Sequence, residues 1–153
     1  MKNLIKKNKN EFGNYLNTLG FDYFCTFSTP YEMTLKSARR AMERFFNRLN
    51  NMYDKCLLFW AAEPFALKEG YHLHVLIKRN SDEVTSLYKD KLAFNEIWQI
   101  VTKGSSIKAK NNRVHLRNYR ASKKGSNYFC KRINQPNSDY DFLFNNNKQT
   151  VAA

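Results

Sequence analysis

Two apolar runs joined by a short turn constrain this chain more than any other feature of its sequence. The run KCLLFWAAE (55–63) is followed by the turn segment PFALKEG (64–70) and then by YHLHVLIK (71–78). Both runs have the length and the apolar and aromatic content of a strand, and Pro and Gly bound the connection between them. The pattern therefore predicts an antiparallel hairpin.

The second strand of this hairpin carries two of the chain's three histidines, His72 and His74. Side chains alternate between the two faces of a strand, so both imidazoles lie on one face. Leu73, Val75 and Ile77 lie on the other, where we expect them to meet helices. The strand is thus predicted to have one dry face and one polar face.

Glu63 lies at the end of the first strand, and the register of the hairpin decides what it meets. Paired positions in an antiparallel hairpin have a constant sum, so Ala61 is opposite His74 if Glu63 is opposite His72. Directly opposite residues share a face, with Cβ atoms roughly 4.5–5.5 Å apart. A slip of two positions keeps the three polar groups together, whereas a slip of one separates them.

Glu63, His72 and His74 are therefore a candidate metal site. Two imidazole nitrogens and a carboxylate oxygen, with coordination positions left open, suit Mn²⁺ or Mg²⁺ with waters. Zinc is compatible with the same ligand types. The alternative interpretation is a polar strand surface with a carboxylate at the hairpin end. His115, alone on its strand, is predicted to be a surface or DNA-facing residue rather than a ligand.

Charge indicates the kind of partner. The chain has 153 residues, enough for one domain with a core, and a formal net charge of +13. An excess of this size favours a polyanionic partner. An anionic membrane surface is a weaker candidate, and no apolar run approaches the roughly 18 residues that a spanning helix needs. We therefore expect no membrane partner.

The compartment and the energy source are predicted from what the sequence lacks. The N-terminal segment is basic without a following apolar region, so no signal peptide is expected. The chain has three cysteines, an odd number, and no two of them form a CxxC pair. This favours a reducing compartment, the cytoplasm. No phosphate-binding GxxxxGK[ST] motif is present, so ATP hydrolysis is not expected.

Apolar periodicity gives the order of the remaining elements. Helices are predicted over residues 3–19, 33–53, 82–101 and 121–133, and strands over 21–29 and 113–119. In the helix 82–101, the apolar spacing predicts an inward stripe of Val84, Leu87, Leu92, Phe94, Ile97, Trp98 and Val101. The predicted fold class is α+β, with a split βαβ (ferredoxin/RRM-like) core, an antiparallel central sheet that carries the HxH strand, and helices on one face. The other face is expected to be free for a ligand. Residues 134–153 are predicted to be a polar tail or an added edge strand.

The predicted helix KKGSNYFCKRI (123–133) offers a nucleophile. Tyr128 and Lys131 share a stripe with neighbouring cations at steps of three and four. A phenol with a pKa near 10 becomes a useful nucleophile when a metal and lysines polarise it and hold the phosphate. The alternatives are that Tyr128 is an ordinary residue of a solvated basic helix, or that the nucleophile is Tyr119. The predicted DNA-binding residues are Arg117, Arg120, Lys123, Lys124 and Arg132.

These residues together resemble the HUH endonuclease superfamily, specifically the Rep-type initiators of rolling-circle replication. HLH (72–74) is similar to its His-hydrophobic-His motif, and Glu63, nine positions earlier, is similar to the third ligand position. YFCK (128–131) looks like its YxxK motif, and FCTFST (24–29) resembles its first motif. The resemblance implies an N-terminal helical lead-in over 1–20, an HUH domain over 21–133, and the polar segment beyond it.

The resemblance also implies an activity. Tyr128 would attack one phosphodiester of a single-stranded or hairpin origin, form a 5′-phosphotyrosine and leave a 3′-OH, and Lys131 would assist at the phosphate. Glu63, His72 and His74 would bind the divalent metal. A host or separate helicase and a DNA polymerase are the implied protein partners, and a homodimer would supply a second tyrosine.

Two alternatives remain open at this point. One is a single-domain HUH tyrosine transposase, whose third metal ligand usually follows the HxH motif instead of preceding it. The other is a non-catalytic single-stranded nucleic-acid binder of RRM-like architecture, which would use strand aromatics such as Phe24 and Tyr71 for stacking.

Overall fold

Five strands and three helices make up the part of the chain that the structure describes. The computed structural model describes residues 11–53, 55–79, 86–102, 113–120, 133 and 135–144. The strands are β1 (Tyr23–Phe27), β2 (Leu57–Pro64), β3 (Tyr71–Lys78), β4 (Val114–Asn118) and β5 (Tyr140–Phe144). The helices are α1 (helical over residues 11–18), α2 (Leu35–Met52) and α3 (Leu87–Thr102). Most of the predicted basic helix, 121–132, lies outside these residues.

The strands form one antiparallel sheet in the order β4-β1-β3-β2-β5. The predicted α+β class is thereby confirmed. The histidine-bearing strand β3 lies at the centre, between β1 and β2. Of the two alternatives expected for the C-terminal segment, residues 140–144 form the edge strand, which pairs with β2.

Helix α2 begins where its sequence provides a cap. The Thr34 hydroxyl accepts a hydrogen bond from the Ser37 amide at 3.1 Å, and the Thr34 amide donates to the Ser37 hydroxyl at 2.9 Å. This reciprocal pair satisfies two of the amides that a helix N-terminus leaves free. From there, residues at steps of three and four turn inward, and the buried ones are Ala38, Ala41, Met42, Phe45, Phe46 and Leu49.

Helices α2 and α3 cover the face of the sheet that carries Leu73, Val75 and Ile77. Aromatic rings from the sheet and from both helices meet there: Phe27 of β1 lies 4.9 Å from Phe45 of α2 and 4.8 Å from Trp98 of α3, centroid to centroid, both edge-on. The predicted inward stripe of α3 is only partly correct. Leu87 and Leu92 are exposed, and Asp90 is buried instead.

The prediction that helices lie on one face is wrong for α1. Leu16 of α1 is fully buried in a second cluster with Phe24, Phe59 and Leu76, which lie on the same face as His74. The physical reason is that β2 and β3 are apolar on both faces over these positions, and such a sheet needs a cover on both sides. The second face is therefore only partly open.

No helix among the described residues is both long enough and apolar enough to cross a bilayer.

Candidate metal centre

The hairpin of β2 and β3 has the register that brings the three polar groups together. Glu63 is opposite His72, and Ala61 is opposite His74. The turn is closed by a hydrogen bond from the Phe65 amide to the Gly70 carbonyl at 3.1 Å. Gly70 has a φ of +96°, and a Cβ there would lie 3.0 Å from Cγ of Glu32, so only glycine adopts this turn without strain.

The side chains of Glu63, His72 and His74 converge on one carboxylate oxygen. Oε2 of Glu63 is 3.3 Å from Nε2 of His72 and also contacts Nε2 of His74. One ligand atom from each of the three residues lies within 4.8 Å of the other two, so the group could hold a metal ion. Ala61, opposite His74 on the same face, adds little bulk beside the group, whereas Ala62 is opposite Leu73 and faces the core under the helices.

Burial sets the protonation of the two imidazoles. Desolvation lowers the pKa of His74 below its usual value, and it outweighs the opposing hydrogen bond and charge of Glu63. Desolvation also lowers the pKa of His72, again against the charge of Glu63 and with a further lowering by Lys68. Both rings are therefore neutral near pH 7, which is the form that binds metal ions.

The rings are oriented by aromatic neighbours. Phe65 lies 4.9 Å from His72, and Phe24 lies 5.7 Å from His74, centroid to centroid. Nδ1 of His72 is buried without a hydrogen-bond partner among the described residues. A metal-ligating histidine usually donates this second N–H to an acceptor, so packing against Phe65 takes over the orienting role for His72. The donor set fits a metal ion, and the neighbour that holds the His72 ring is the aromatic side chain of Phe65.

A groove begins at His74 and runs across β1 and β4. Its first part is a cavity of about 500 Å³ lined by Phe24, Thr26, His74, His115, Leu116 and Arg117. A second cavity of about 470 Å³ follows, and Arg117, Tyr119 and Arg120 line it. The guanidinium of Arg117 lies 4.1 Å above the ring of Phe24. The surface beside the metal group is thus concave and carries cations.

The predicted site residues have three different outcomes. Glu63, His72 and His74 are brought together. Arg117 and Arg120 line the groove next to them, although no contact tests their role in DNA binding. The other predicted residues lie outside the described residues, namely Tyr128, Lys131, Lys123, Lys124 and Arg132.

His115 of β4 and Tyr119, the residue that follows β4, have different surroundings. His115 is exposed and shares the first cavity with His74, with Thr26 paired between them. Tyr119 lies four residues further along the chain, about 13 Å away at strand spacing. Its hydroxyl bonds to the side chain of Asn17 in α1, and its ring lies 6.0 Å from Phe21. Tyr119 thus belongs to the packing of α1 and lies at the far end of the groove from the metal group.

Sequence reasoning missed Phe65 and Lys68. Phe65 contacts His72, and the ammonium of Lys68 lies 4.2 Å from the Phe65 ring. Both lie in the hairpin turn, where alternation no longer fixes the direction of a side chain. An aromatic residue two positions after Glu63 was the available signal.

Comparison with family models, curated proteins and solved structures found no match. The fold and the site define an α+β protein. On the partly open face of its sheet lies a group of three residues that could bind a metal ion.

Proposed function

We propose that this chain is a metal-dependent endonuclease of the HUH superfamily, a Rep-type initiator that nicks and rejoins single-stranded DNA. The observation that carries the proposal is the convergence of Glu63, His72 and His74 on one face of the central hairpin. His74 is buried, and His72 and Glu63 are each partly buried beside it. Desolvation of two imidazoles and a carboxylate costs free energy, which a polar surface without a function has no need to spend.

The order of elements supports the proposal at the level of fold. Without α1 and β5, the chain runs β1-α2-β2-β3-α3-β4, and the four strands lie in the order β4-β1-β3-β2. We infer that this is the split βαβ core, with β5 added at the edge beside β2. In such a core the two central strands present the residues at the middle of the sheet, where the HxH pair lies.

A divalent ion is the proposed cofactor. Glu63, His72 and His74 would hold it, and the mixture of one carboxylate and two imidazoles favours Mn²⁺, with Mg²⁺ as the alternative. When bound, such an ion polarises a phosphodiester and neutralises negative charge that develops during its cleavage.

Tyr128 and Lys131 enter the proposal from the sequence motif YFCK. The phenolic oxygen of Tyr128 forms a bond to the phosphorus, the bond from phosphorus to the 3′ oxygen breaks, and the phenolic proton is given up while the 3′ oxygen takes one. Lys131 holds a phosphate oxygen. The reaction conserves the number of phosphoester bonds, so attack by a later 3′-OH reverses it without ATP.

The groove from His74 to Arg120 is the proposed path of the single strand. Its cations, Arg117 and Arg120, suit phosphates. The origin DNA, a separate helicase and a polymerase are the proposed partners in the cytoplasm of a host cell, with a homodimer as the proposed source of a second tyrosine.

The same groove favours a second candidate, a non-catalytic single-stranded nucleic-acid binder. Against it, Phe24 is only 5% exposed and is covered by Arg117, and Tyr71 packs against the core on the opposite face of the sheet. Neither strand aromatic therefore offers a stacking platform.

A covalent adduct separates the two candidates. A pool of random-sequence single strands, labelled at the 3′ end, is incubated with the protein and Mn²⁺ and resolved under denaturing conditions. The enzyme retains the label on the protein, Tyr128→Phe abolishes it, and Tyr119→Phe, the matched control, keeps it. An adduct that survives Tyr128→Phe would reassign the nucleophile, and binding without any adduct would favour the non-catalytic candidate.

Metal binding is tested separately by thermal unfolding. At an Mn²⁺ concentration 100 times Kd, binding stabilises the fold by about 2.7 kcal/mol, or about 5–11 °C at roughly 2–4 °C per kcal/mol for a chain of this size. Glu63→Ala and His72→Ala should lose this shift, and His115→Ala should keep it. An unchanged shift in Glu63→Ala would remove the upstream carboxylate from the ligand set and weaken the Rep assignment.

A further inference from the structure

A row of cations follows the exposed side of α2, on the face of the sheet opposite the metal group. Lys36, Arg40, Arg44 and Arg48 recur at every fourth position and are all exposed. Twelve residues at about 1.5 Å per residue give the row a length of about 18 Å. Successive members are neighbours on the helix surface, where like charges destabilise a helix by a few tenths of a kcal/mol per pair.

These four cations form no ion pair within the described part of the chain. Arg39, on the adjoining side of the same helix, behaves differently. It binds Asp139 through two hydrogen bonds, at 2.9 and 2.6 Å, and Asp141 through a third at 2.9 Å. The helix thus uses one arginine to hold β5 and directs the row to solvent, with Glu43 as the only acidic residue in its length.

Three of the four cations, Lys36, Arg40 and Arg44, border a cavity of about 350 Å³. Tyr31, Thr34, Ser37 and the end of α3 line the rest of it. Cationic and hydroxyl side chains around a concavity are the groups that contact phosphate oxygens in nucleic-acid complexes. The cap of α2 is already satisfied by Thr34 and Ser37, so the side chains of the row are what the cavity offers to an anion.

We propose that the row Lys36, Arg40, Arg44 and Arg48 binds the phosphate backbone of duplex nucleic acid, with one phosphate seated in the cavity beside Arg40. This surface is separate from the groove at His74, because the sheet lies between them, and binding to it requires neither a metal nor catalysis.

A duplex fits the row better than a single strand does. Over about 18 Å of its axis, one strand of a duplex presents about five phosphates at a constant spacing. A rigid row of cations can meet such a backbone without ordering it first. Sequence-tolerant binding of a single strand relies on stacking against several successive aromatic side chains. The exposed side of α2 carries none, and the cavity beside it offers only Tyr31, whose hydroxyl donates a hydrogen bond to the Thr102 carbonyl.

The test compares two double substitutions of equal charge in the full chain. Arg40→Gln/Arg44→Gln alters the row, and Lys89→Gln/Lys91→Gln on α3 is the matched control. Each lowers the net charge from +13 to +11 (13 − 2) and keeps a good helix former at each position. Binding of a labelled 20-base-pair duplex is measured by anisotropy in EDTA at several salt concentrations, and melting curves verify that both variants fold.

Loss of two phosphate contacts lowers the log–log salt slope by about 1.8. Between 50 and 200 mM salt, the wild-type protein should therefore lose about 12-fold more duplex affinity than the row variant does. The control should keep the wild-type slope. Equal losses in both variants would overturn the proposal in favour of a general charge effect, and so would an unchanged slope in the row variant.

Two further probes address other anionic partners. Single strands of equal length should be affected less than duplex by the row substitutions. If the row variant loses binding only to single strands, or only to vesicles that contain phosphatidylserine, the duplex assignment is wrong. Because EDTA is present throughout, these results are independent of the proposed nicking activity.

Discussion

Substitution of the buried carboxylate Asp90 by asparagine should cost about 3 kcal/mol of unfolding free energy. Asp90, on the first turn of α3, is 1% exposed, and its partner Arg79 is 3% exposed. Oδ2 of Asp90 accepts hydrogen bonds from Arg79 at 2.7 Å and from Tyr23 at 2.5 Å, and Oδ1 accepts one from Tyr53 at 2.7 Å. One carboxylate thus ties α3 to β1, to the end of α2 and to the residue that follows β3.

The magnitude follows from what asparagine can retain. Its oxygen can still face Arg79 and Tyr23, and the Tyr53 hydroxyl can turn to accept from the new NH₂ group. What is lost is the charge, so the Arg79 cation stays buried without compensation. Breaking a buried pair in this way costs about 3–5 kcal/mol. Asp90→Asn falls at the low end because its hydrogen bonds survive, and Asp90→Ala, which loses them too, should fall at the high end.

Urea denaturation, followed by tryptophan fluorescence, measures this loss of unfolding free energy. An unchanged slope of that free energy against urea concentration shows that the folded and unfolded states of the variant are as compact as those of the wild type. The control is the double substitution Asp90→Asn/Arg79→Met, which removes both charges and leaves Tyr23 and Tyr53 a hydrogen-bond partner at position 90. Because the double variant no longer buries an uncompensated cation, it should be more stable than Asp90→Asn alone. A loss of less than about 1 kcal/mol for Asp90→Asn would refute the reasoning, because an uncompensated buried cation destabilises the fold by more than that. Simple additivity in the double variant would refute it as well.

Three further predictions concern the phenols around Asp90, the arginine that holds β5, and Tyr119. Burial raises the pKa of Tyr53 to about 12 and that of Tyr23 further. Both folded-state pKa values lie above the unfolded value of about 10. The stability that the two protonated phenols contribute is therefore complete below pH 10 and is lost as the pH rises from 10 towards 12. Tyr53→Phe should flatten that part of a curve of unfolding free energy against pH. Arg39→Gln should lower global stability by about 1 kcal/mol or less, since Arg39 is 38% exposed and surface ion pairs contribute little, yet it should speed amide hydrogen exchange in β5. If β5 exchanges at the wild-type rate, the arginine does not hold that strand. Tyr119→Phe should lower the unfolding free energy by about 1 kcal/mol, because its hydrogen bond to Asn17 is lost. A Tyr119→Phe protein that is folded but forms no covalent adduct would contradict a purely structural role for Tyr119.

The candidate site was predictable because everything that defines it is local. The two histidines are fixed on one face by alternation, and Glu63 reaches them across a hairpin whose connection is only a few residues long. The register found, with Glu63 opposite His72, is one of those that keep the three groups on one face, and alternation along a hairpin predicts this without knowledge of the tertiary structure.

The position of Asp90 was not predictable for the opposite reason. Its hydroxyl partners Tyr23 and Tyr53 lie 67 and 37 positions away in the sequence. A charged residue in an amphipathic helix is ordinarily assigned to solvent, and only the assembled layers bring two phenols and Arg79 to the same point. Leu87 and Leu92 were assigned inward by the same periodicity and are exposed, because this network holds the first turns of α3 by hydrogen bonds.

The packing of α1 against the second face of the sheet, which the sequence did not predict, explains the position of the metal group. One face of β3 carries His72 and His74 followed by Leu76, so the polar and apolar parts of that face follow each other along the strand. Leu76, with Phe24 and Phe59 beside it, must be covered, and α1 covers it through Leu16. Phe24, which belongs to this covered cluster, packs against His74. His74 is 7% exposed, and its burial lowers its pKa. A completely open face would leave the imidazoles solvated, and a completely covered one would exclude a substrate. The metal group therefore lies at the boundary between the two halves, where one of its histidines is dry and the groove begins.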